Sequence, residues 1–258
     1  MKVYFLDYGW LEGDINWMVA LKNYATKTNK SVSSVWTKFP EYGILIELQG
    51  QYILYDTGSN PSDYDRSNRF PFYYKNKQGI LNQLSLLGLT PNDIKTVVLS
   101  HLHDDHAGNI HLFPHAEIYI DISEYEFYAN PDNNMKIYDC LKKMKYIRLV
   151  DKDIQLNKYI QLKRLPGHSH GLLGMLFHMK DELWFIVSDA INTIDNYSIP
   201  PKAAVGLFDE RVYFQTIEEI RKIEKDENAK IFFGHDFNQF RQLNICPEYY
   251  EFEECEDV

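Results

Sequence analysis

The segment Ser100-His101-Leu102-His103-Asp104-Asp105-His106 concentrates three imidazoles and two carboxylates in one short stretch, in the pattern HxHxDH. It directly follows the strand-like run TVVL. In a chain leaving a strand, residues two apart point to one side, so His101 and His103 can share a target. Asp105 and His106 fall where a helix can begin and can aim two more donors into the same space. Three further donors stand where strand-like runs end: His168 in PGHSH, Asp189 in VSDA and His235 in FGHD. Loops at the carboxyl ends of strands commonly build sites. A lone His or Asp in such a turn is an ordinary cap, but together with HxHxDH these residues read as a metal centre.

The elements that must position them are short. β-type runs are Val3 to Leu6, Tyr42 to Leu48, Tyr52 to Tyr55, Thr96 to Leu99, Ala116 to Ile120, Tyr159 to Leu165, Gly174 to His178, Leu183 to Val187 and Ile231 to Phe233. Helical spacing is clearest at Ile80, Leu81, Leu84 and Leu87, ending at Gly88, and from Glu210 to Lys225 with Phe214, Ile217, Ile220 and Ile223 on one face. Alternation of strands and helices predicts an α/β or α+β fold, with one domain spanning 1–258. Two stretches fit neither period: about 7–40, with Trp10, Trp17, Met18 and Trp36, and about 59–77, with Phe70, Phe72, Tyr73 and Tyr74. They are expected to be loop excursions, and Trp17, Met18, Trp36, Phe70, Phe72 and Tyr73 are candidate pocket residues.

With 258 residues and 45% hydrophobic content, the chain can bury a substantial core. Its net charge of −10 disfavours a nonspecific nucleic-acid surface. No apolar run approaches the roughly 20 residues of a membrane span, and no signal-like segment opens the chain, so a soluble cytoplasmic protein is expected. Cys140, Cys246 and Cys255 form neither a disulfide framework nor a CxxC pair. Aromatic residues at 15% exceed what the core needs and suit a pocket for an apolar ligand.

From about residue 42 to 250 the chain resembles the metallo-β-lactamase fold superfamily, and within it the N-acyl-homoserine lactonase branch. The resemblance rests on YDTG (55–58), GLTPNDIKTVVLS, HxHxDH, PGHS, SDA and FFGHD followed by CPEYY. It implies a four-layer αββα sandwich with a dinuclear metal site at one edge. Carried over by position, it makes His101, His103 and His168 ligands of one metal, Asp105, His106 and His235 ligands of the other, and Asp189 the bridge. Asp56 would support the site from behind. Imidazole and carboxylate donors without thiolate suit two Zn²⁺, with Fe, Mn or Co as alternatives. Two metals about 3.5–4 Å apart can share a water, lower its pKa towards ~7 and present a bridging hydroxide to a polarised carbonyl. No protein nucleophile is required, which agrees with the lack of a GxSxG elbow.

The chain departs from the lactonase pattern twice. Many members have Tyr three residues after the bridging Asp, where this chain has Asn192, and many have GHSxGH, where it has Leu172. Asn192 and nearby Tyr197 are thus the candidates to hydrogen-bond the substrate oxygen, joining Asp105 and Asp189 as catalytic residues. The expected function is hydrolysis of a lactone, an N-acyl-homoserine lactone or another with an apolar substituent, by a monomer or homodimer. Alternatives on the same scaffold are glyoxalase-II-like thioester or other ester and amide hydrolysis, RNase Z-like phosphodiester cleavage, flavodiiron-type redox chemistry and a non-catalytic binding protein. Leu172 and the lack of a basic patch count against the thioester reading, and the acidic balance against the phosphodiesterase.

Overall fold

The computed structural model describes residues 1–60, 73–75 and 79–253. In chain order the elements are β1 (Lys2–Asp14), β2 (Trp36–Leu48), β3 (Gln51–Tyr55), β4 (Tyr73–Lys75), α1 (Gly79–Leu86), β5 (Ile94–Val98), α2 (Asp104–Ala107), β6 (Glu117–Asp121), α3 (Ile122–Tyr128), α4 (Met135–Leu141), β7 (Tyr146–Val150), β8 (Ile154–Gln155), β9 (Ile160–Arg164), β10 (Leu173–His178), β11 (Leu183–Ser188), α5 (Glu210–Glu227), β12 (Ala229–Phe233), α6 (Phe237–Phe240) and β13 (Tyr250–Glu251). One sheet runs β13-β1-β2-β3-β5-β6-β7, with β4 against β1; the other runs β12-β11-β10-β9-β8.

Side-chain alternation explains why the sheets stack. Val3, Phe5, Ile44, Ile46 and Ile53 face Ile160, Leu162, Met175, Trp184 and Ile186 of the second sheet in one dry core. Their neighbours Tyr4, Leu6, Leu45 and Leu54 point the other way, into a core closed by Ile80 and Leu84 of α1 and Ile137 and Leu141 of α4. The opposite face of the second sheet, with Leu176, Phe185 and Val187, is covered by Tyr213, Ile217 and Ile220 of α5. Two sheets between two helical layers make the αββα sandwich that the sequence resemblance implies. Leu172, at the position where many lactonases have His, is fully buried in that last core.

Two boundaries differ from the sequence reading. The stretch 7–40 is not one excursion: β1 continues to Asp14, β2 starts at Trp36, and the two pair down to Asp14 opposite Trp36. A register shift between Asp7 and Gly9 breaks the alternation that would have marked β1 as one long strand. Pro40 is tolerated in β2 because, among the described residues, β2 at that height pairs only with β1; its ladder with β3 reaches no further than Ile44 opposite Tyr55. Helices α3 and α4 carry no sequence expectation, being seven residues each and too short to establish a period. In the stretch 59–77, Phe70 and Phe72 lie outside the described residues, and Tyr73 sits in β4 opposite Glu12.

Candidate metal centre

All seven residues proposed as ligands arrive at one edge of the sandwich. His101 and His103 follow β5, His168 follows β9, and Asp189 and His235 follow the parallel pair β11 and β12. Asp105 and His106 lie in α2, one turn beyond His103. The donors resolve into two groups, His101, His103, His168 and Asp189, and Asp105, His106, Asp189 and His235, each with ligand atoms within 4.8 Å of one another. Asp189 joins both through different oxygens. Its Oδ2 lies 3.2 Å from His168 Nε2 and 4.0 Å from His101 Nε2, while its Oδ1 lies 3.1 Å from His235 Nε2 and 3.4 Å from His106 Nε2.

A pair of cations fits this arrangement on three counts. First, His103 Nδ1 faces His101 Nε2 at 2.8 Å and His168 Nε2 at 3.2 Å, so three ring nitrogens converge where only a proton or a cation can sit between their lone pairs. Second, among the described residues His106 Nε2, His235 Nε2 and Asp189 Oδ1 are buried without a hydrogen-bond partner, which is costly unless something else satisfies them. Third, the far nitrogens are committed. His235 Nδ1 donates to the Pro40 carbonyl at 2.9 Å, and His106 Nδ1 meets Asp56 Oδ2 at 2.8 Å, which leaves each Nε2 as the inward lone pair.

Asp56 organises more than one donor. Its Oδ1 accepts the Ser100 amide at 2.7 Å and its Oδ2 the Ser100 hydroxyl at 2.8 Å, and that hydroxyl lies 3.0 Å from His101 Nδ1. Asp56 itself takes φ 61°, a conformation costly for a residue with a Cβ. The turn behind it is tied to the ligand helix by Thr57, whose amide donates to the His106 carbonyl at 2.7 Å, and by Asn109, whose side chain donates to the carbonyls of Thr57, Gly58 and Ser59. YDTG is thus the bracket for HxHxDH. On the other side, a Cβ on Gly234 would come within 2.5 Å of Asp189 Oδ1, so glycine lets the His235 loop close over the bridging carboxylate.

Burial and crowding set opposite protonation tendencies. Burial holds His168 down at about 3 and His101 well below the usual imidazole range, the latter reinforced by His106 and His103. Burial also opposes charge on His106 and His235, yet Asp105 and Asp189 raise His106 well above its ordinary value, and Asp189 raises His235 to about 9. Asp189 resists its own burial because His235, His106 and His168 hold it well below the carboxylate range. The second group therefore attracts positive charge, which a divalent cation can supply in place of protons.

Above the donors opens a cavity of about 210 Å³. His103, Asp105, His168, Asp189 and Asn192 form its polar part, and Leu11, Trp17, Met18, Val205 and Gly206 its apolar wall. The wall is held by backbone bonds from Val205 to Trp17 and from Ala20 to Ala203, and by the Asn196 side chain on the Met18 carbonyl. Asn192 donates to Met18 Sδ at 3.1 Å, and its Oδ1 is buried with no partner among the described residues.

Trp17, Met18 and Asn192 line the cavity, whereas two other candidates point elsewhere. Tyr197 turns away: its hydroxyl donates to Glu224 at 2.7 Å and its ring packs against Arg221 and Phe233. Trp36 is 58% exposed at the open end of β2 and does not line the cavity. His170, two residues after His168, is stacked between Phe127 and Phe208 at 3.7 Å from each. Sequence reasoning misses Ser100, whose only signal is adjacency to His101, and Leu11, Val205 and Gly206, which carry none.

The model for the metallo-beta-lactamase superfamily matches residues 36–235, most of the chain. The chain belongs to the metallo-β-lactamase superfamily. Among its curated relatives, an N-acyl homoserine lactonase, AiiB, of Agrobacterium fabrum is 30% identical over 264 residues, covering 94% of this chain and 96% of the relative. An N-acyl homoserine lactonase of Bacillus thuringiensis is 27% identical, covering 86% of this chain and 93% of its own length. A solved structure of a quorum-quenching N-acyl homoserine lactone hydrolase superposes with TM-score 0.82 at 26% identity, covering 96% of this chain and 98% of that one. Another, also at TM-score 0.82 and with 25% identity, is an N-acyl homoserine lactone hydrolase with N-hexanoyl-L-homoserine bound at its catalytic metal centre; it covers 96% of this chain and 98% of that one. The superfamily scaffold thus extends over nearly the whole chain.

Proposed function

We propose that this protein is a dinuclear zinc hydrolase that opens a lactone ring, its substrate an N-acyl-homoserine lactone or another lactone with an apolar substituent. The observation that carries the reading is the division of Asp189 between two donor groups at the floor of a cavity whose opposite wall is apolar. The relatives' names support the substrate class. When bound, two zinc ions supply Lewis acidity and acidify a water towards neutrality.

The chain's own residues orient and exclude. His101, His103, His168 and Asp189 would hold one ion; Asp105, His106, His235 and Asp189 would hold the other. Trp17, Met18, Leu11 and Val205 take the apolar substituent, which points the ring carbonyl at the polar floor. Asn192 stands at that floor with an amide able to donate to the carbonyl or to the leaving oxygen. Asp105, whose side chain is 14% exposed against 5% for Asp189, is the carboxylate open enough to take the proton of the attacking water and return it to the leaving oxygen. Ring opening then breaks the acyl C–O bond and yields a carboxylate and an alcohol.

Purified protein with zinc is expected to open acyl-substituted lactones in preference to thioesters. Asp189→Ala and His106→Ala should each lose at least about 100-fold in kcat/KM, together with bound zinc. His178→Ala, at the end of β10, should keep both. Full metal content and turnover in both ligand variants would overturn the assignment, and preferred thioester hydrolysis would move the substrate class.

A further inference from the structure

We propose that Glu124 is a positioning residue that sets the spacing of the first donor group, His101, His103 and His168, and not of the second. The inference rests on the dinuclear zinc reading and adds to it an asymmetry between the two ions.

Glu124 lies in α3, belongs to no metal-donor group and is fully buried. A buried carboxylate is retained only where its oxygens are well satisfied, and those of Glu124 are satisfied by two ligand loops from different halves of the sandwich. Its Oε1 accepts the amide of Leu102, between His101 and His103, at 2.9 Å. Its Oε2 accepts the amide of Gly171, three residues beyond His168, at 3.1 Å. One rigid group therefore spans both loops. Charge-assisted bonds of this kind are stronger than neutral ones, so the link resists stretching.

The surroundings fix the carboxylate in turn. Asp121 caps α3 by accepting the Ser123 amide at 2.8 Å, and it pairs with Arg164, the last residue of β9, which leads into the His168 loop. A Cβ on Gly171 would collide with the Asp121 carboxylate, so glycine lets the loop come close enough to reach Glu124. A further bond from the Leu173 amide to the Ser100 carbonyl, 2.8 Å, closes the same seam. None of these bonds touches the second group's own ligands: His106 is held by Asp56, which also reaches His101 through Ser100, and His235 by the Pro40 carbonyl.

The test is a competition titration of Zn²⁺ against a chromophoric chelator, made on the full chain. Wild type is expected to take up two equivalents. Glu124→Gln keeps the volume but offers one acceptor where two are needed. It should weaken one ion by about 10- to 100-fold, the range for lost ligand-orienting partners, and leave the other as in wild type. Glu124→Ala should do the same more strongly; if it does not fold, Glu124→Gln decides. Ile118→Val, a truncation in the core beside α4, gives the loss of melting temperature that a purely structural change produces, with both zinc affinities unchanged. Glu124 variants that bind both ions as wild type does, or weaken both equally, overturn the positioning role while the dinuclear reading stands. Wild type that binds no zinc overturns both.

Discussion

Asn192 and Tyr197 are five residues apart, and their chemistry is divided by the direction each side chain takes. The segment after Asp189 is stitched inward by Asn196, which accepts the Thr193 amide and hydroxyl and donates to the Met18 carbonyl. With Asn196 turned in, Tyr197 turns out to Glu224 and Arg221. Asn192 remains at the cavity, its amide resting on a thioether, a weak acceptor that a substrate oxygen can displace. Asn192→Ala is therefore expected to lower kcat by about 100-fold with zinc content intact, the scale of a lost oxyanion donor. Tyr197→Phe should leave kcat within about twofold, as for a surface change away from the reacting atoms. Steady-state kinetics on one lactone check both, and a reversal of the two effects would move the oxyanion role to Tyr197. The donor positions were legible in the sequence because HxHxDH is dense and strand ends recur before His168, Asp189 and His235. The outward turn of Tyr197 was not, because it depends on Asn196 meeting Met18, 178 residues away.

At the scale of elements, the arm formed by β1 and β2 builds much of the cavity's apolar wall. It extends the first sheet beyond the sandwich and returns Leu11, Trp17 and Met18 over the donors. The sequence marked this stretch by its aromatic residues but hid its strands behind the irregularity at Gly9 and the Pro40 that an internal strand would refuse. It also could not separate Trp17, which the turn following Asp14 carries inward, from Trp36, which the pairing of β2 leaves at the rim. Removing an indole wall exposes about 50 Å² of a bound acyl chain, worth about 1.3 kcal/mol or tenfold in binding. Trp17→Ala should accordingly raise KM about tenfold for a lactone with a medium acyl chain and leave an unsubstituted butyrolactone nearly unchanged. Equal effects on the two substrates would mean that Trp17 shapes the ring site and not the arm of the substrate.

For the whole molecule, the gathering of charge at one edge of a protein of net charge −10 has a cost that metal removes. Asp56, Asp105 and Asp189 converge there, and Glu41, buried behind them and facing Asp105, is pushed up to about 8. Without cations the edge must balance its carboxylates with protons on His106 and His235 and leaves His101 and His168 neutral and crowded in a buried setting, so the join between the sheets there is sensitive to what fills the site. The αββα layering was legible from strand alternation and the two helical stripes, but this dependence follows only once five loops from both sheets are seen to meet. A ligand that binds the folded state alone stabilises it by RT ln(1 + [L]/Kd), about 4 kcal/mol at a thousandfold excess over Kd. At about 2–4 °C per kcal/mol for a chain of this size, zinc should raise the melting temperature by roughly 10 °C over chelator-treated protein. His235→Ala should retain only part of that rise, since the first donor group survives it, whereas Asp189→Ala, which strips a ligand from both, should retain almost none. Calorimetric melts with and without zinc separate the three proteins, and equal rises in all of them would show that the ions bind elsewhere.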